Sequence, residues 1–142
     1  ESVGNLLDSL AFTVPTYVEL PITEARAGLA VLAADGAERA KLRTGPYEVP
    51  SPEHLAAAIG AAVRLRVPFK LTGGLHHALP THDQESGQEH HGLLNVLATT
   101  AAAATGADDT QLAGFLRAND ADRLRKYLGR FGLSWGALQE RR

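Results

Sequence analysis

The chain has 142 residues, enough for one domain, and its 44% hydrophobic and 21% charged residues predict a packed core rather than a disordered segment. Fourteen Lys and Arg against sixteen Asp and Glu give a net charge of −2, which argues against a nucleic-acid-binding protein that works through bulk positive charge. No apolar stretch approaches the ~20 residues that a membrane span needs. There is no cysteine, so disulfide bonds, cysteine-ligated zinc and thiol catalysis are excluded.

The absence of cysteine and of a basic-then-apolar leader is consistent with a cytoplasmic protein. Methionine is also absent, even at position 1. We therefore expect residues 1–142 to form a single domain that is a processed form or a fragment of a longer protein.

Short strand-like segments alternate with helical segments along the first two thirds of the chain. The predicted strands and helices follow in this order: 17–20, 23–35, 40–44, 52–66, 68–72 and 92–105. Thr23 and Ser51 are the candidate N-caps of the first two helices. Two more helices are expected, one capped by Asp108 or Asp109 and one capped by Asn119 or Asp120. For 131–138 a strand and a helical turn both remain open.

This alternation predicts the fold class. Strands that alternate with helices form a parallel sheet, so the chain is α/β. Three strands are few for this length, and we expect the C-terminal half of a (β/α)8-type barrel, which has ~250 residues when complete, with extra C-terminal helices. A small open α/β sheet is the alternative.

Polar side chains occupy alternate positions on the three predicted strands. Because side chains alternate between the two faces of a strand, one shared face receives the following set: Glu19, Lys41, Arg43, Lys70 and Thr72. Charges on a covered parallel sheet must pair, reach solvent or hold a ligand. At the ends of barrel strands they predict one cavity that binds a small anion, with Lys41, Arg43 and Thr72 as binding residues. The alternative is a set of solvent-facing residues or an ion pair with Glu19.

Histidines cluster directly after the third predicted strand. Five of the six fall in or beside a predicted loop at 73–89: His76, His77, His82, His90 and His91. Loops of this length are usually functional or disordered. We expect one of His76 and His77 to face Lys70, and Asn95, one turn after His91, is a further candidate for binding substrate.

A metal is an open alternative for the same loop. Imidazole and carboxylate groups bind divalent metals, and the candidate ligands are His82, His90 and His91. No spacing matches a known zinc signature, however, and no other cofactor is indicated.

Three segments resemble an uncharacterised bacterial family. KLRTG at 41–45, PFKLTGGLHH at 68–77 and HGLLNV at 91–96 are similar to its patterns K-x-R-T-G, P-F-K-x-T-x-G-L-H-H and H-G-x-x-N. The resemblance covers roughly positions 40 to 97 and implies the C-terminal half of a β/α barrel, but it implies no activity. Gly73 stands where many members have Ala, and the polar insert after His77 is longer.

These features favour an enzyme of lyase or isomerase type, or the C-terminal half of one, that acts on a small anionic metabolite. The candidate catalytic residues are Lys70, His76, His77 and Glu19. Glu19 and one histidine would transfer protons, and Lys70 would polarise the anion or form a Schiff base.

Other functions remain open at this point. One is a non-catalytic binding or assembly module whose His-rich loop holds a metal or a partner chain, and another is a barrel fragment completed by a second chain. We expect neither a nucleic-acid nor a membrane partner. An accessible sheet edge favours a homo-oligomer.

Overall fold

The computed structural model describes residues 15–36, 38–45, 49–85, 87–134 and 136. Five strands and five helices lie within these ranges. The strands are β1 (Tyr17–Leu20), β2 (Arg39–Arg43), β3 (Phe69–Thr72), β4 (Thr81–His82) and β5 (Glu89–His90). The helices are α1 (Ala25–Asp35), α2 (Pro52–Leu65), α3 (Leu93–Ala104), α4 (Asp109–Leu116) and α5 (Ala121–Arg130).

Local signals in the sequence place most helix ends. Ser51 caps α2 as predicted, with its hydroxyl accepting from the His54 amide at 3.2 Å. Asp108 and Gln111 form a capping box at the start of α4. The predicted N-cap Thr23 is wrong, because residues Ile22–Glu24 form a 3₁₀ turn and α1 begins after Glu24.

Strands β1, β2 and β3 form a parallel sheet in that order. Its register aligns Glu19 with Lys41 and Lys41 with Lys70. The apolar face, with Leu20, Ala40 and Leu42, packs on α1 and α2.

The expected half barrel is wrong, and the small open sheet describes the fold. In the part of the chain that the structure describes, the parallel sheet has three strands and does not close. After β3 the helices α3, α4 and α5 pack on α2 and on each other rather than returning to the sheet. The chain therefore forms a mixed α/β structure with a helical layer on one side of α2.

The predicted loop at 73–89 contains a small antiparallel ribbon. Strand β4 pairs with β5, and the Asp83 amide donates to the Gln88 carbonyl at 2.8 Å. The ribbon leads into α3 through Gly92, where a Cβ atom would lie 2.6 Å from Asn95 Oδ1. A side chain at position 92 would therefore displace Asn95.

Two buried clusters share α2. One lies between α2, α1 and the sheet, and the other lies between α2 and the helices α3, α4 and α5. Gly60 lets α2 and α4 approach closely, since a Cβ atom there would lie 3.0 Å from Leu112. No helix in the described ranges is both long enough and apolar enough to cross a membrane.

Candidate functional site

The charged sheet face brings together three of the residues predicted from the sequence. The Glu19 carboxylate lies 2.5 Å from Lys41 Nζ and accepts from the Arg43 guanidinium at 3.0 and 3.2 Å. Hydrogen bonds from Lys41 and then Arg43 lower the pKa of Glu19. The predicted ion pair is therefore present on a solvent-facing surface.

Lys70 and Thr72 do not join this ion-paired group. Lys70 lies on the same face, but its Nζ sits 3.9 Å from the centre of the Tyr17 ring. Thr72 is half-buried, and its hydroxyl has no partner among the described residues. The cavity beside Glu19 is lined by Arg43 but not by Lys41 or Lys70. The catalytic and binding roles assigned to these residues stay predictions.

The histidines divide between surface and core. His76 and His77 are both exposed, and they line a groove with His82 and His90. His82 Nδ1 lies 2.8 Å from the Glu89 carboxylate. In the described part of the chain, no three His, Asp or Glu side chains are placed to hold a metal ion, so the metal alternative with His82, His90 and His91 has no structural basis.

His91 belongs to the core. It is buried, and its Nε2–H donates to the Pro50 carbonyl at 2.7 Å. Burial lowers the pKa of this imidazole, although the Pro50 hydrogen bond acts against that shift.

Asn95 is also completely buried, and it holds the end of α4. Its amide nitrogen donates to the carbonyls of Phe115 and Ala118, both at 2.7 Å. These carbonyls lie at the last turn of α4 and in the connection that follows. Asn95 on α3 therefore fixes where α4 stops and how the chain leaves it.

Helices α4 and α5 form a compact pair joined by four residues, 117–120. Asp120 begins α5 by accepting from the Arg123 amide at 2.7 Å. Leu124 and Leu128 of α5 are fully buried in the same cluster as Leu112 and Phe115 of α4. Two short helices with a tight connection and a shared core have the form of a helix-turn-helix.

The rest of α5 faces solvent and is strongly basic. Residues 117–130 carry five Lys and Arg against two Asp, a local net charge of +3. The exposed cations on α5 are Arg123, Arg125, Lys126 and Arg130. An exposed basic helix after such a turn can lie against an anionic polymer.

Tyr127 anchors this basic helix to α4. Its ring lies 5.6 Å from the Phe115 ring, and its hydroxyl accepts from Arg123 at 3.5 Å. The Arg130 guanidinium lies 5.3 Å from the same ring. The Arg123 hydrogen bond lowers the pKa of the Tyr127 phenol. Two of the cations are thus held against an aromatic ring.

Two short helices joined by a short connection, the second with an exposed basic surface, are similar in arrangement to the helix-turn-helix motif. Residues 93–138 match the family model described as the RtcR C-terminal DNA-binding domain. The match begins at the first residue of α3, extends past α5 and covers about a third of the chain. No curated protein and no solved structure matches the chain.

This match contradicts the function predicted from the sequence. A DNA-binding domain conflicts with a lyase or isomerase that acts on a small anionic metabolite, and with the expectation of no nucleic-acid partner. The comparisons give no support to the barrel-like bacterial family or to its motif pattern.

The helix at 121–130 was predicted from its cap, but its basic surface was not, because the net charge of the whole chain conceals it. Outside 117–130 the chain carries nine Lys and Arg against fourteen Asp and Glu, a net charge of −5 that hides the local excess. The basic surface could have been predicted from two features: the caps Asp108 and Asp120, which mark two short successive helices, and the cations placed around Leu124 and Leu128 in the second helix.

Proposed function

We propose that α3, α4 and α5 form a DNA-binding unit in which α5 enters the major groove of duplex DNA. The observation that carries this proposal is the surface of α5, which buries Leu124 and Leu128 and exposes its cations after a four-residue turn. The family match at 93–138 supports the same function. A regulatory, non-enzymatic role follows.

The helical repeat divides the α5 side chains into two groups. At 100° per residue, Asp122 in the first turn of α5 and Lys126 one turn later lie opposite the buried leucines. Recognition helices read base edges with their N-terminal residues. Lys126 would donate to guanine and Asp122 would accept from cytosine.

A second group is suited to phosphate contacts. Arg123 and Arg130 flank Tyr127 on one side of α5, where the ring fixes their positions. Arg125 is separate from this pair. Its guanidinium lies 2.6 Å from the Asp122 carboxylate, and this ion pair orients both side chains at the end of α5 that would enter the groove. Phosphate contacts fix the position of a protein on DNA, whereas base contacts select the sequence.

Lys126→Gln tests the proposal with one change of charge. The whole chain is used to select duplexes from a random pool, and affinity for the enriched duplex is measured by fluorescence anisotropy at several salt concentrations. We expect Lys126→Gln to weaken binding roughly 5- to 150-fold, because one base contact is worth ~1–3 kcal/mol. For wild type, the logarithm of the binding constant should fall linearly with the logarithm of the salt concentration, with a slope of about −0.9 for each phosphate contact.

Arg66→Gln is the matched control. It removes the same charge from an exposed position at the end of α2, outside the proposed unit. Its affinity should stay within about twofold of wild type, since a distant surface charge contributes little at moderate salt. Equal losses in both variants, or no binding of duplex DNA at low salt, would overturn the proposal.

A further inference from the structure

A cavity of about 500 Å³ lies against the connection between α4 and α5. Three parts of the chain line it: the segment that leads into α2, the ribbon that leads into α3, and the end of α4 with the connection itself. Small-molecule sites usually have volumes of about 300–1,000 Å³. The cavity is therefore large enough for one small molecule, and its lining includes Asn119, the residue before the Asp120 cap of α5.

The walls of this cavity are largely apolar and contain three proline rings. Pro50 and Pro52 come from the start of α2, Pro80 precedes β4, and Leu116 is the last residue of α4. Pro50 and Leu116 are buried, so packing fixes their positions. Proline rings pack favourably against aromatic rings. The walls therefore favour a planar ring as the ligand.

The charged groups in the lining cancel, and each already has a partner. The Glu89 carboxylate lies 2.8 Å from His82 Nδ1, and the Arg117 guanidinium pairs with Glu53. One carboxylate and one guanidinium leave the lining without a net charge that would attract an ion. Electrostatic complementarity therefore indicates an uncharged ligand.

The lining also holds side chains that can form hydrogen bonds with such a ring. Asn119 is exposed, and its side-chain amide forms no hydrogen bond within the ranges that the structure describes. This amide presents a donor and an acceptor side by side, which complements the edge of an adenine base. The half-exposed imidazole of His90 adds a further donor and acceptor.

We propose that this cavity binds an uncharged adenine base, with the ring packed on the prolines and its edge hydrogen-bonded to Asn119. The base contacts both the start of α2 and the connection, so its binding stabilises the arrangement from which α5 extends. An occupied cavity should therefore strengthen DNA binding by α5. That effect rests on the proposed DNA-binding function, whereas binding of the base does not.

NMR titration of the whole isotope-labelled chain with adenosine tests the site directly. We expect saturable shifts of the lining amides, among them His90, Arg117 and Asn119, with a dissociation constant of roughly 0.1 mM for a ligand of this size. The derivative with a dimethylated amino group keeps the ring but lacks the donor, and it should bind roughly two- to tenfold more weakly. No saturable shift at millimolar adenosine, or shifts confined to other residues, would overturn the proposal.

Asn119→Ala removes the amide from an exposed position. It should weaken adenosine binding roughly two- to tenfold and leave the unfolding midpoint nearly unchanged. Gln84→Ala is the matched control, because Gln84 is an exposed amide in the turn of the ribbon and does not line the cavity. Its affinity for adenosine should stay within about twofold of wild type. Equal affinities of the two variants would show that the base does not contact Asn119 and would overturn the proposal.

A free nucleoside and a nucleic-acid strand both carry this base, and a single-stranded adenine trinucleotide separates these two sources. Tighter binding than adenosine, weakened by Asn119→Ala, would assign the base to a strand. Equal or weaker binding would assign the site to the free nucleoside.

A DNA measurement separates this inference from the proposed function. Saturating adenosine should tighten binding of wild type to its selected duplex roughly fivefold or more. If adenosine binds but leaves the affinity for DNA unchanged, the effect on α5 is wrong. If wild type binds no DNA while adenosine still shifts the lining amides, the DNA-binding function is wrong and the adenine site stands. DNA binding by a chain whose lining amides do not respond to adenosine gives the opposite result.

Discussion

His91 is a titratable side chain that the fold has removed from water. Burial holds the pKa of its imidazole below the usual value of 6.5, so the neutral ring donates through Nε2 to the Pro50 carbonyl. The ring joins the segment before α2 to the segment before α3. This contact makes the histidine a structural residue whose protonation affects folding.

The free energy of unfolding should depend on the protonation of His91. Because the folded pKa lies below 6.5, the unfolded chain binds the proton more readily, and stability falls as the pH is lowered through 6.5 towards the folded pKa. His91→Gln, which has an amide donor but no titrating ring, should reduce that fall, by at most about 1.4 kcal/mol per pH unit.

Urea unfolding of wild type and His91→Gln between pH 5 and 8 measures the difference. His76→Gln is the matched control, because it replaces an exposed histidine. Identical pH dependence in wild type and His91→Gln would contradict the prediction.

At the scale of elements, the direction of α5 depends on the end of α4. The two hydrogen bonds from Asn95 fix the Phe115 and Ala118 carbonyls, and the Asp120 cap starts α5 two residues later. Arg117, in the connection, also forms an ion pair with Glu53 of α2. The connection is therefore held from α3 and from α2.

Removal of the Asn95 amide should loosen this connection. Asn95→Ala leaves the Ala118 carbonyl without a donor in the core, at a cost of about 1–3 kcal/mol in the free energy of unfolding. Specific DNA binding should weaken more than non-specific binding, because base contacts require the exact direction of α5.

Asn119→Ala provides the comparison for Asn95→Ala. Asn119 is an exposed asparagine in the same connection, and its replacement should cost less than about 0.5 kcal/mol. Chemical denaturation and anisotropy with specific and random duplexes measure both effects. Equal behaviour of the two variants would show that Asn95 does not position α5.

The elements differ in how far the sequence could predict them. The three parallel strands and the caps Ser51 and Asp108 depend on local signals, and they are found within about one residue of the prediction. The β4–β5 ribbon has only two residues in each strand, too few to show an alternating pattern. Whether a parallel sheet stays open or closes into a barrel depends on pairing between strands that are far apart in the sequence. The local sequence of each strand does not determine that pairing.

The functional region was predictable only in part. The alternation of charged residues correctly predicted that Glu19, Lys41 and Arg43 share one face of the sheet. Their charges pair with one another, so no bound anion is needed to neutralise them. Asn95 was singled out for its position near His91, and the structure gives it a buried role that depends on Phe115, twenty residues away. The basic surface of α5 required charge to be counted by segment.

At the scale of the whole molecule, α2 is common to both buried clusters. Leu55 and Ile59 face α3, α4 and α5, while Ala58 and Ala62 face α1 and the sheet. Asp109 of α4 accepts from Arg64 at 3.1 Å and also pairs with Arg26 of α1. The sheet and the proposed DNA-binding unit should therefore unfold together.

Ile59→Ala tests this coupling from the centre of α2. We expect a loss of about 2–5 kcal/mol in the free energy of unfolding, because a cavity replaces a fully buried side chain. Loss of far-UV circular dichroism and loss of DNA binding should occur at the same urea concentration. Val31→Ala, at an exposed apolar position, should leave the midpoint nearly unchanged. Two separate transitions would show that the two clusters fold independently.

Because α2 packs in both buried clusters, it also determines which segment of the chain could be transferred intact to another protein. A transplant of residues 93–138 alone would leave Leu112 facing solvent where α2 now covers it. A host protein would have to offer an apolar, alanine-rich helix with a glycine at the crossing point, as Gly60 provides here. The portable module therefore starts at the Ser51 cap of α2 rather than at α3, and it carries the β3 strand and the β4–β5 ribbon with it.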